Sequence, residues 1–141
     1  NLCKDIPKNV CVTAYNMGFE KGVIKNLAQI FPDLEEHLMN IHDNILDIMI
    51  PFQKRYYYTK EMKGSYSIKY VLPALFPDDP ALNYGNLEGV HNGGEASSTF
   101  LAMQKMDKTE LETWRKHLLA YCKLDTFAMV KVFEKLQEAA E

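Results

Sequence analysis

The chain has 141 residues, 47% hydrophobic and 25% charged, which is the composition of a globular domain and excludes a disordered tract. A formal net charge of -3 excludes a protein that coats nucleic acid by bulk charge, while leaving room for a basic patch on an acidic body. Three cysteines, Cys3, Cys11 and Cys122, form no C-x-x-C pair and leave one thiol over, which points to a reducing, cytoplasmic compartment.

Val10 to Tyr15 follows a Pro and an Asn and is rich in small and β-branched residues, so it reads as a buried strand ending at Asn16. From Phe19 the apolar positions Phe19, Val23, Leu27 and Phe31 recur every four residues, which predicts a helix closed by Pro32. A polar segment from Asp33 to Asn44, also open to a helix, leads to Ile45–Ile50, a second strand candidate interrupted by Asp47 and ended by Pro51. Strand, helix, strand at this spacing predicts a parallel unit. The run Ile45 to Phe52 falls well short of the ~20 apolar residues of a membrane helix, and no signal segment is visible, so no membrane partner is expected.

Gln53 to Lys69 changes character, setting Lys54, Arg55, Lys60, Lys63 and Lys69 among Tyr56, Tyr57, Tyr58 and Tyr66. Such a segment could stack the bases and meet the phosphates of a single strand, or pack and face water. Ser67 to Phe76 predicts a short helix despite Pro73, and Pro77 to Gly94 a long loop. Two helices follow, Glu95 to about Met106 and Thr109 to about Leu136. Two strands are too few to cover so many apolar helix faces, so missing strands or a partner are implied, and an exposed edge or face is expected to drive self-association.

In the last helix Leu111, Trp114, Leu118, Cys122, Met129, Val132, Phe133 and Leu136 make one apolar face. Asp125 falls inside it, within about 20° of Leu118 and Val132 around the helix, and a carboxylate there needs a partner. Tyr121 lies one turn earlier on the same side. The second acid of interest is Glu20, at the junction where the first strand passes into its helix. Parallel strands collect ligands at such ends, although Glu in a first helical turn is also favoured by the helix dipole alone.

Taken together these pieces resemble the DEDD exonucleases of the Tyr-x-x-x-Asp subtype. Tyr15-Asn16-x-x-Phe19-Glu20 is similar to their second motif, and Tyr121-Cys122-Lys123-Leu124-Asp125 to their third. Ser65 to Lys69 lies between them in family order. The chain also resembles a bacterial domain family of unassigned function that carries the same Tyr-Asn-x-x-Phe-Glu-Lys, Gly-Ser-Tyr-Ser-Ile-Lys and Tyr-Cys-x-Leu-Asp-Thr runs. The resemblance implies an α/β ribonuclease-H-like fold, truncated at the N-terminus, with residues 1–141 as the C-terminal portion of one exonuclease-like domain. It implies a metal-dependent 3′ to 5′ nuclease acting on single-stranded ends of DNA or RNA. Glu20 and Asp125 would be ligands to Mg or Mn, Tyr121 a catalytic residue, and Asn16, Arg55, Tyr57, Lys63, Ser65 and Tyr66 nucleic-acid contacts.

Two departures limit that reading. No Asp-x-Glu strand precedes Asn16, so half of the expected metal ligands are missing and the fragment alone is expected to be inactive. Glu20 stands where most members carry Asp. An inert nuclease-like module that binds nucleic acid or partner proteins is therefore the rival, and a small helical adaptor, with Asp125 paired to Lys or Arg, a third. His91-Asn92-Gly93-Gly94 reads as an ordinary loop before a helix, or as a phosphate nest. His37 and His42 lack the i, i+4 spacing of a zinc pair. Glu20 and Asp125 are expected to approach on one side of the sheet.

Overall fold

The computed structural model describes residues 1–141, of which 68% are helical. The chain divides into two units, Asn1–Tyr58 and Thr59–Glu141. The first runs α1 (Leu2–Asp5), β1 (Val12–Ala14), α2 (Gly18–Ile30), α3 (Glu35–Asp43), β2 (Ile45–Asp47) and α4 (Ile50–Gln53). The four-residue apolar step from Phe19 gives α2, and Pro32, which has no N–H to extend a helix, starts a tight 3-10 turn that leads into α3. Ile24 and Ala28 of α2 bury together with Leu38 and Ile41 of α3, Ala14 and Ile45. Complete burial of an aliphatic side chain of this size stabilises by about 1.5–3 kcal/mol.

The strands pair in parallel as expected, Val12 with Ile45, Thr13 with Leu46 and Ala14 with Asp47. They are only three residues long. Beyond Ala14, Asn16 adopts the left-handed backbone region at φ 70°, which turns the chain away from the sheet. Asp47 ends β2 at 7% exposure, its Oδ1 accepting the N–H of Asn16 at 3.0 Å and of Met49 at 2.9 Å, its Oδ2 the N–H of Met17 at 3.0 Å. The residue that interrupts the apolar run therefore clamps the corner between β1 and α2 to the end of β2. Its charge also adds to burial in raising the Tyr15 hydroxyl above the usual tyrosine range.

The second unit holds α5 (Ile68–Leu75), α6 (Gly93–Ala102) and α7 (Lys108–Ala140), with 3-10 turns at Lys60–Met62, Pro80–Leu82, Tyr84–Asn86 and Met103–Lys105. Pro73 is accommodated inside α5, whose Val71 and Leu72 are fully buried. Asp107 starts α7 by accepting the N–H groups of Thr109 and Glu110 on one oxygen. The buried ridge of α7 is Leu124, Ala128 and Val132, at a strict four-residue step. Leu111 and Cys122, expected on that face, are exposed instead. The expected long loop from Pro77 to Gly94 is pinned by three buried side chains, Leu82, Tyr84 and Val90. Gly89 within it, at φ 75°, has no room for a side chain: a Cβ there would stand 2.3 Å from Nδ1 of His117 on α7.

These elements correct the expected fold class. An α/β ribonuclease-H-like fold needs a sheet wide enough for helices to layer on, whereas two strands of three residues make a ribbon. The apolar faces bury chiefly between helices, α2 on α3 in the first unit and α5 on α7 in the second. The protein is mostly helical. Replacement Asp47→Ala is expected to cost about 3 kcal/mol in a urea melt, since it strips a charged acceptor from three amides. Asp47→Asn, which keeps one oxygen and the volume, should cost less; equal loss for both would mean that the charge carries the whole effect and volume none.

Candidate functional site

Asp125 rides on α7 next to the buried Leu124 and is itself half-buried. Its Oδ1 accepts the hydroxyl of Tyr84 at 2.8 Å, across 41 residues of sequence. Tyr121, one turn earlier, faces the same carboxylate, and its ring lies 6.1 Å from that of Tyr84, tilted by 51°. Desolvation, then the charge of Asp125, pushes the Tyr121 hydroxyl up to about 12, so at neutral pH it keeps its proton and stays a donor. The backbone comes close here too, because a Cβ placed on Gly93 would lie 3.7 Å from the Tyr121 hydroxyl oxygen. Asp125 is therefore held by tyrosine in place of the Lys or Arg that a plain helical adaptor predicts.

The start of α6 adjoins this corner. Asn92 caps the helix by accepting the N–H of Glu95, while the Glu95 carboxylate folds back onto the N–H of His91 at 2.8 Å and the amide of Asn92 at 2.6 Å. Those bonds, led by the one from the His91 backbone, hold Glu95 below the usual carboxylate range. The His91 N–H that a phosphate nest would use is thereby given to Glu95, in line with an ordinary capped helix start.

Glu20 belongs to the first unit, in the first turn of α2. It borders an apolar cleft of about 240 Å³ that Phe19, Val23, Ile24 and Leu27 also line. Asn16 beside it is exposed, with its N–H given to Asp47. The approach expected between Glu20 and Asp125 joins residues of two units, and the geometry within either unit does not bear on it. Two hard cations ask for about four carboxylates with water and phosphate to complete their shells. No group of three or more His, Cys, Asp or Glu side chains is placed to hold a metal ion. The one Asp-x-Glu triplet, Asp33-Leu34-Glu35, is exposed where the 3-10 turn enters α3, away from any strand. The residues present thus do not fit the two-cation cage that the resemblance implies.

The expected nucleic-acid contacts divide between the units. In the first, Arg55 is exposed at φ 57°, whereas Tyr57 packs edge-on against Phe52, ring centres 5.7 Å apart. Its neighbour Tyr56 is the open one, at 78% exposure. In the second, Lys63 caps a 3-10 turn at φ 52°, Tyr66 is exposed, and the Ser65 hydroxyl accepts the N–H of Ser67 at 3.2 Å. The sequence missed Tyr84, which no motif singles out; its only advance signal was an aromatic residue alone in a Gly- and Pro-rich stretch.

Residues 1–67 match the model of a family described as a domain of unknown function (DUF2779). The match takes in Asn16, Glu20, Arg55, Tyr57, Lys63, Ser65 and Tyr66 and leaves Tyr121 and Asp125 outside. No curated protein matches the chain. No solved structure matches it either. No helix is long and apolar enough to cross a membrane.

The tyrosine corner predicts a titration. Tyr121 has a folded value raised above the ordinary 10, so its contribution to stability is intact below pH 10 and is lost as pH rises towards about 12. Monitored by tyrosinate absorbance, Tyr121 should ionise above the ordinary tyrosine range, and Asp125→Asn should bring it down. An unchanged late phase in Asp125→Asn would show that burial alone sets it.

Proposed function

We propose that this chain engages single-stranded nucleic acid as part of a metal-dependent nuclease working from 3′ ends, and that residues 1–141 alone hold the strand without cutting it. The observation that carries the reading is the Asp125 carboxylate held by the Tyr84 hydroxyl, with Tyr121 one turn before it, in the Tyr-x-x-x-Asp order of the DEDD exonucleases that the sequence resembles. Tyr121 keeps its proton at neutral pH and serves as a hydrogen-bond donor beside a negative charge. Tyr56, open to solvent between Arg55 and Tyr57, is the side chain best exposed to stack a base, with Lys54 and Arg55 to meet phosphates. In the second unit Lys63, Tyr66 and Lys69 offer the same chemistry. The three free cysteines support placing the protein in the cytoplasm.

The inert module remains the second reading, favoured by the Tyr84 bond, which already supplies Asp125 with a structural partner. Two measurements separate them. The 141-residue chain should bind a labelled single-stranded oligonucleotide by anisotropy, more weakly as salt rises, with Tyr56→Ala reducing affinity about tenfold, the worth of one stacked base. A longer natural chain carrying these residues together with an Asp-x-Glu strand should release nucleotides with Mg or Mn. It should lose at least about a hundredfold in rate on Asp125→Asn, and about tenfold on Tyr121→Phe. Equal rates for wild type and Asp125→Asn would leave the inert module as the better account.

A further inference from the structure

We infer that Tyr84 is a positioning residue for Asp125: its buried hydroxyl holds one carboxylate oxygen and so fixes the plane in which the other is presented. The inference rests on the nuclease reading above. Its physical basis is the rigidity of the donor. Tyr84 is 6% exposed, and the buried Leu82 and Val90 stand on either side of it in sequence. Its own turn is closed by the Leu87 N–H on the Tyr84 carbonyl at 3.2 Å and by the Asn83 side chain, which accepts the Gly85 N–H at 2.9 Å. The neighbouring turn is tied in by Asn86, whose amide donates to the Pro80 carbonyl at 2.8 Å. A hydroxyl mounted on so constrained a segment cannot follow Asp125 if the carboxylate rotates, so the carboxylate is held in one setting.

The bond engages Oδ1 and leaves Oδ2 outside it. Tyr121 also bonds this carboxylate, but from α7 itself, so Tyr84 is the partner that ties the last torsion, otherwise broad and two-fold, to a second segment. Fixing that torsion in advance removes an ordering cost at the moment a strand binds, the same advantage that any preorganised polar group confers on a site. A tyrosine suits the role because its hydroxyl donates to the carboxylate without neutralising it, as a Lys or Arg partner would.

The test uses Tyr84→Phe, which keeps the ring and removes only the donor. In the 141-residue chain, the carboxyl carbon resonance of Asp125 measured by NMR should move in Tyr84→Phe, because one oxygen loses its donor. In the longer nuclease-competent chain the same variant should lower kcat about tenfold, the scale of one hydrogen bond to a charged group, while KM for the oligonucleotide stays put. An Asp125 carboxyl resonance that stays in place in Tyr84→Phe overturns the inference whatever the activity does. Full activity of Asp125→Asn sinks the nuclease reading instead, and leaves the carboxyl resonance to judge the positioning on its own. Should Tyr84→Phe fail to fold, fluorotyrosine at position 84 strengthens the donor at nearly constant volume, and an Asp125 carboxyl resonance that does not move would overturn the inference equally.

Discussion

The geometry of the first unit follows from how the carboxylate of Asp47 is satisfied. At 7% exposure an unanswered charge would be prohibitive, and three backbone N–H groups within 3.0 Å answer it. Two of those amides, Asn16 and Met17, belong to the corner that carries the chain from β1 into α2. The clamp therefore joins the end of one strand to the exit of the other, where a ladder of three residues has run out of bonds of its own. It also sets where α2 begins, and with it the position of Glu20 in the first helical turn.

Asp125 meets the same electrostatic requirement by other means. Its partners are hydroxyls carried on side chains, so the charge is stabilised without being locked into the backbone. That difference is one of rigidity. An amide in a tight corner cannot leave without unfolding the corner, whereas a hydroxyl can be exchanged for water at the cost of one hydrogen bond. The family match adds a second asymmetry. Glu20 lies inside a matched domain of unknown function, while Asp125 lies outside it and rests on its own geometry.

Several elements were legible because their causes are local. The four-residue step and Pro32 place α2, Ser67 to Phe76 brackets α5 within one residue at each end, and the helix expected from Thr109 begins at Lys108. The parallel pairing of Val12 to Ala14 with Ile45 to Asp47 was legible too, although not its brevity, which comes from the left-handed Asn16 and from the side-chain bonds of Asp47. The apolar period of α7 was legible at Trp114, Leu118, Met129, Val132, Phe133 and Leu136, which are partly or fully buried, but it missed Leu124 and Ala128 of the buried ridge. Leu111 and Cys122 keep the period and find nothing to bury against, while Leu124, Ala128 and Val132 do.

By itself the sequence determined the helices, the order of its acidic motifs, and the placing of Tyr121 and Asp125 one turn apart on a single face. It also determined a basic, tyrosine-rich segment, since adjacency along the chain is all that requires. Only the tertiary structure decided that the two strands stay a ribbon and the protein becomes mostly helical. Only the tertiary structure chose Tyr56 over Tyr57 as the open aromatic, and brought Tyr84 across 41 residues to Asp125. The reason is common to all three: spacing rules describe what a residue meets within a turn or two of its own element, whereas burial and long-range hydrogen bonds depend on which distant segments come to lie beside it.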